Sequence, residues 1–192
     1  MFKTIKLSPT SWLAVAIVAA VQTIALATIV YGRVSLLSNG REIVTEVIPV
    51  DPRDLFRGDY VILGYTFGQG EVTVPKGTNQ GDKVYVTLKE TTPEKWEVVG
   101  ASTDYAHPAD SAQVVMKGIV SYVSMPPEGE QPKASVRYGI ESYFVPEGTG
   151  RELEEKVRDK KISAVLAVGG SGDVAIKALV VDGQRVHQEP WF

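Results

Sequence analysis

No cysteine occurs in the 192 residues, which removes disulfides, thiolate metal sites, cysteine nucleophiles and a lipidated N-terminal cysteine together. Histidine is nearly as scarce. One copy, His107, sits in the run TDYAHPAD beside Asp104 and Asp110, and the other, His187, lies near the C-terminal end. A histidine-based zinc site would need both to converge with a carboxylate, so no metal site is expected. Residues 1–32 hold no acid, only Lys3 and Lys6; with a formal net charge of −3 overall, that leaves −5 over residues 33–192. A domain of that sign repels a phosphate backbone, which speaks against a nucleic-acid partner. There is no G-x-S-x-G elbow and no H-E-x-x-H pair. The run GGSGD at residues 169–173 lacks the lysine and spacing of a phosphate-cradling loop and reads as a hairpin turn. No cofactor is implied.

What is present begins with WLAVAIVAAVQTIALATIVY, residues 12–31, a run without a single charge. As a helix rising 1.5 Å per residue it matches a hydrocarbon core of roughly 30 Å. Trp12 and Tyr31 stand at its ends, where amphipathic rings favour the interface, and Lys3 and Lys6 before it retain the N-terminus in the cytoplasm. The expected organisation is a cytoplasmic N-terminus (1–11), a transmembrane helix (12–31), a linker (32–40) and an exported domain (41–192). A cleaved signal peptide is the rival, with ALA at residues 25–27 as its site, but the apolar run exceeds the usual h-region. Gln22 and Thr23, near the middle, offer hydrogen bonds to a neighbouring helix.

The remainder reads as about nine strand-like runs separated by turn signals. They are residues 41–50, 59–67, 71–75, 82–90, 95–102, 112–124, 134–145, 161–168 and 173–181. TTPE at residues 91–94 and GGSG at 169–172 make hairpin connections. A soluble helix is expected over GRELEEKVRDK, where Thr149 and Glu152 form a capping box and Leu153 and Val157 an apolar stripe. The fold class is therefore mainly β (α+β): a transmembrane helix, then one antiparallel sandwich, roll or barrel with a single packed helix.

The densest charge lies in DPRDLFRGD, residues 51–59. Asp51 and Pro52 fit an N-cap and N1 pair, Asp54 falls at N3, and Gly58 fits the left-handed position after a helical turn. Asp51, Arg53, Asp54, Arg57 and Asp59 thus read as an internally paired corner between two strands, with a recognition surface as the functional alternative. A cation cage fits poorly, because the two arginines compete for the same oxygens. In the following strand Asp59, Val61, Leu63 and Tyr65 share one face, Tyr60, Ile62 and Gly64 the other, and both faces are largely apolar, as a strand inside the fold requires. Arg137 and Glu141, four apart in a run read as one strand, are expected on one face as a pair, with Glu141 a lesser acid-base candidate.

The run GDYVILGY, residues 58–65, matches G-D-Y-x-x-L-x-Y at every fixed position, so the chain resembles the GDYXXLXY family of bacterial membrane-anchored proteins. DPRDLFR before it and RYGIESYFVPEGTGRELE at residues 137–154 are similar to stretches typical of that family. The resemblance implies one membrane helix and an exported β-rich domain, and the expected location is the bacterial inner membrane with that domain periplasmic or otherwise extracytoplasmic. It implies no activity, and it points to a polytopic membrane protein as partner through a similar gene setting.

Three functions follow as expectations. The first is a membrane-anchored binding or scaffold protein without catalysis. An envelope hydrolase acting near residues 51–59 or Glu141 is the second. The third is a small-ligand sensor with a pocket lined by Tyr60, Tyr65, Tyr138 and Tyr143. A serine and lysine dyad peptidase fits badly: Ser35 and Ser38 lack the expected context, and SMPP at residues 124–127 falls in the wrong half of the chain.

Overall fold

The computed structural model describes residues 9–48, 60–124, 130–144 and 162–186. Helix α1, Pro9–Asn39, contains the long apolar run, and it is the one described helix long and apolar enough to cross a membrane. Residues 12–33 are exposed all round, so nothing described covers that apolar surface. Inside it, Thr23 and Thr28 donate their hydroxyls to Ala19 O and Ile24 O at 2.8 Å, which satisfies both polar groups within the helix itself. The linker segment is itself helical as far as Asn39. Its last turns lie on the domain, with Leu37 only 4% exposed.

The helix stops where the chain must come closest to the sheet. The Gly40 N–H donates to Leu36 O at 2.9 Å. A Cβ on residue 40 would sit 2.4 Å from that oxygen and 3.1 Å from the Ala167 Cβ, so only glycine fits. Immediately after, REIVTEVI supplies the β-branched alternation of strand β1, Arg41–Ile48, with Ile43, Thr45 and Val47 buried.

The domain is built from antiparallel ladders. One five-stranded sheet runs β12–β11–β10–β1–β3, where β3 is Gly64–Tyr65, β10 Ile162–Val168, β11 Val174–Val181 and β12 Gln184–Val186. A second five-stranded sheet runs β4–β8–β7–β5–β6: Val72–Thr73, Lys133–Arg137, Gln113–Ser124, Lys83–Thr92 and Lys95–Ser102. It curls until β4 and β6 approach one another, close to a barrel. A two-stranded ladder pairs β2, Tyr60–Ile62, with β9, Ser142–Phe144. The core fills the space between the sheets: Val84, Val86 and Leu88 of β5 alternate inward toward Leu166 of β10 and Leu179 of β11. The mainly β reading therefore holds.

Two departures from the expected strands share one cause, a chain that changes sheets, and a third is a turn within one sheet. Residues 59–67 do not make one strand: β2 pairs with β9, Leu63 donates its N–H to Glu141 O at 2.9 Å, and β3 then joins β1. A 3-10 turn at Thr66–Gly68 ends the run. Residues 134–145 likewise split, because β8 ends at Arg137 and β9 begins at Ser142 in another ladder. Strand β12 follows a turn at Asp182 and Gly183, both at positive φ, that the reading of the sequence did not separate. The expected helix at residues 150–160 lies outside the described residues.

The two large sheets are tied across their ends. The Trp96 indole N–H donates to Val44 O at 2.9 Å, and the Glu46 N–H to Glu94 O at 2.9 Å. At the helix end of the domain, the Arg41 guanidinium donates to Gln113 O at 2.7 Å and also to Ser111 O.

Candidate functional site

Part of the GDY motif is visible in place. Leu63 and Tyr65 are 1% and 2% exposed, both within the core. Tyr65 stacks on Phe67 with ring centroids 5.2 Å apart, and Phe67 meets the Tyr138 ring edge-on at 5.5 Å. The Tyr65 hydroxyl donates to Ile140 O at 2.9 Å. Burial, reinforced by the nearby Glu141 charge, raises both the Tyr65 and the Tyr138 phenol well above the ordinary tyrosine range. Both phenols stay neutral; Tyr65 packs and donates a hydrogen bond, whereas Tyr138 packs with a hydroxyl that has no partner among the described residues. Tyr143 belongs to the same core, so three of the four tyrosines expected around a ligand pocket contribute to the core. Tyr138 also borders a surface groove. Tyr60 contributes its backbone to β2, opposite Phe144. Asp51, Arg53, Asp54, Arg57, Gly58 and Asp59 lie outside the described residues.

Arg137 and Glu141 do not share a strand face. The chain turns at Gly139, φ +79°, and the Glu141 carboxylate folds back over that turn. One oxygen accepts the Tyr138 N–H at 2.6 Å and the other the Gly139 N–H at 2.9 Å. Glu141 is therefore a turn cap whose two oxygens are already engaged, a poor arrangement for a general base. The exposed Arg137 borders a groove of about 320 Å³ with Lys117, Gly118, Ile119, Tyr138, Gly139 and Glu141. Gly118, which also borders the groove, is packed tightly on β8: a Cβ there would lie 2.2 Å from Val136 Cγ1 and 3.1 Å from Arg137 O.

Two ionic clusters were not anticipated. In the first, Lys177 Nζ lies 2.7 Å from Glu42 Oε1, and Arg185 donates to Glu42 Oε2 at 2.8 Å. Lys177 is only 8% exposed, and it occupies a β-bulge, since Leu166 faces Ile176 while Val165 faces Ala178. These hydrogen bonds, from Lys177 first and Arg185 second, hold the Glu42 carboxyl below the ordinary glutamate range. A lysine inside the apolar run VAIKALVV was the available signal.

In the second cluster, the β10–β11 turn is tied to strand β7. The Lys117 N–H donates to Gly172 O at 2.7 Å, and the Lys117 ammonium pairs with the Asp173 carboxylate. The Lys117 hydrogen bond, then that of Ser171, lowers the Asp173 carboxyl below its ordinary range. The expected hairpin at GGSG is present: the Gly172 N–H returns to Gly169 O at 3.0 Å, with Gly172 at φ +84°. On its other side this turn meets α1, where Leu36 Cδ1 would lie 3.1 Å from a Cβ on Gly169. The membrane-type helix, the hairpin and both sheets thus converge on residues 169–173.

His107 stacks edge-on against Tyr105, which stacks in the same way on Tyr85. Among the described residues no three histidine, aspartate or glutamate side chains gather as a metal site. His187 lies outside them.

A family model described as GDYXXLXY protein matches residues 22–179, from within the apolar helix to strand β11. No curated protein and no solved structure matches the chain.

Proposed function

The chain belongs to the GDYXXLXY protein family, a family of unknown function, and from that premise we propose that it is a single-pass membrane protein whose β-domain is a binding scaffold for an integral-membrane partner. In this reading α1 lies in the bacterial cytoplasmic membrane, its N-terminus is cytoplasmic, and the domain is periplasmic. Lys3 and Lys6 before the span support that orientation.

The observation that carries the proposal is the unbroken passage from helix to domain. Helix α1 runs 31 residues, and its last turns are packed on β10 and β11 with Leu37 buried and Gly40 pressed against Ala167. A domain held in this way keeps one height and one orientation above a bilayer. That rigidity suits contact with a neighbour in the same membrane, because little orientational freedom is lost on docking. A tethered enzyme or ligand carrier that must reach dispersed targets gains nothing from it. The engaged oxygens of Glu141 and the core positions of Tyr65, Tyr138 and Tyr143 also weigh against a hydrolase or a tyrosine-lined sensor pocket.

The test is photo-crosslinking of the full-length protein in native membranes, with three chains compared. They are the wild type, a variant with a flexible Gly/Ser insert between Asn39 and Gly40, and the Arg57→Ala, Asp59→Ala double variant, each with folding verified. The expected result is a crosslink to a polytopic membrane protein that the flexible insert abolishes. Crosslinks unchanged by the insert, or confined to soluble proteins, would refute the scaffold reading. Loss in the double variant would place the interface at residues 51–59.

A further inference from the structure

We infer that the cleft between the end of α1 and the β10–β11 turn is a binding site for the headgroup of an anionic phospholipid. The inference rests on α1 being a membrane anchor. The cleft has a volume of about 640 Å³. One wall is a single face of the helix, Thr28, Gly32, Ser35 and Asn39 with Ile29 and Leu36 beside them; the other is the turn at residues 169–173.

Its chemistry changes along its length in the order of a phospholipid. Thr28 and Ile29, at the foot, belong to the apolar run, where acyl chains lie. Above Tyr31 come Arg33, Ser35 and Asn39, a cation with a hydroxyl and an amide, at the level where a phosphate lies. Arg33 is the first charge after Lys6. Among the described residues no hydrogen bond or ion pair holds its exposed guanidinium, which is free to meet a phosphate as a bidentate donor. The acid bordering the cleft, Asp173, is offset by Lys117 and accepts from Ser171 Oγ at 2.6 Å.

Two glycines keep the cleft open. Gly32 and Gly170 both border it, neither has a positive φ, and a Cβ on either would meet nothing within 4 Å. Neither backbone strain nor packing demands glycine there. A glycine inside a helix is moreover a poor helix former, so Gly32 weakens α1 where its bare surface widens the cleft.

The experiment is native mass spectrometry of the full-length protein in detergent, titrated separately with phosphatidylglycerol, with phosphatidylcholine of the same acyl chains, and with glycerophosphate. The wild type is expected to retain phosphatidylglycerol at concentrations where neither of the others is retained. Arg33→Gln should weaken that retention roughly fivefold, the worth of one basic residue near an anionic surface. Gly170→Trp, which fills the cleft and leaves Arg33 in place, should abolish it. Both variants are checked for folding by circular dichroism. Equal retention of the two lipids, equal retention of glycerophosphate, or unchanged binding in the folded variants overturns the inference. Alkaline carbonate extraction separates the two levels of failure. Release of the wild type from membranes would refute the anchor itself, whereas a firmly embedded protein without headgroup preference refutes only the lipid site.

Discussion

Trp96 and Val44 lie 52 residues apart, and the indole N–H of one donates to the carbonyl oxygen of the other at 2.9 Å, joining edge strand β6 to β1 of the opposite sheet. The ring is 2% exposed, so a single side chain both fills the core and closes the domain at that end. Trp96→Phe retains an aromatic ring but removes the donor and part of the volume. The expected loss is about 2 kcal/mol, measured by denaturant unfolding followed by circular dichroism.

Thr45 predicts the opposite sign. Its side chain is fully buried on the core face of β1, and its hydroxyl has no hydrogen-bond partner among the described residues. Thr45→Val keeps the branched shape and removes the unsatisfied group. Stability should rise by about 1 kcal/mol, read as a higher denaturation midpoint at unchanged slope.

Gly118 tests the close approach of β7 to β8. An added Cβ would meet Val136 Cγ1 at 2.2 Å and the backbone oxygen of Arg137 at 3.1 Å. The side chain can turn away, but the oxygen is fixed by the ladder. Gly118→Ala should therefore cost roughly 1–3 kcal/mol. The paired change Gly118→Ala, Val136→Ala should recover part of that loss, and a double-mutant cycle measures how much.

Acid should act through Glu42. An ordinary glutamate titrates near 4.5, and the hydrogen bonds from Lys177 and Arg185 place Glu42 lower in the folded chain. Its contribution is complete above the unfolded value, declines as the pH falls below 4.5, and vanishes once the pH passes the lower folded value. Glu42→Gln should lower stability at neutral pH and flatten the acid limb of a plot of melting temperature against pH. An acid limb as steep in the variant as in the wild type would show that the pairing contributes nothing.

Much of this architecture is legible locally. The uncharged run of residues 12–31 announces its helix by length and composition, and the inward alternation of Val84, Val86 and Leu88 announces β5. GGSG announces its turn, because Gly172 supplies the positive φ that a tight hairpin needs. Residues 134–145 mislead for a physical reason. Alternation continues on both sides of Gly139, and nothing local reveals that the chain changes ladders there or that Glu141 turns back to cap the bend.

The sequence by itself determined the apolar helix, the strand-rich domain after it and the family to which the chain belongs, since each rests on composition, on a short period or on a contiguous motif. The tertiary structure alone decided the partners. Glu42 meets Arg185 across 143 residues and Lys117 meets Asp173 across 56, and both meetings depend on strand order and register. A one-residue bulge such as that at Lys177 redirects a side chain, and no local pattern states where the ladder places it. The cleft beneath the β10–β11 turn has the same origin, arising only because a helix from one end of the chain ends against a hairpin from the other.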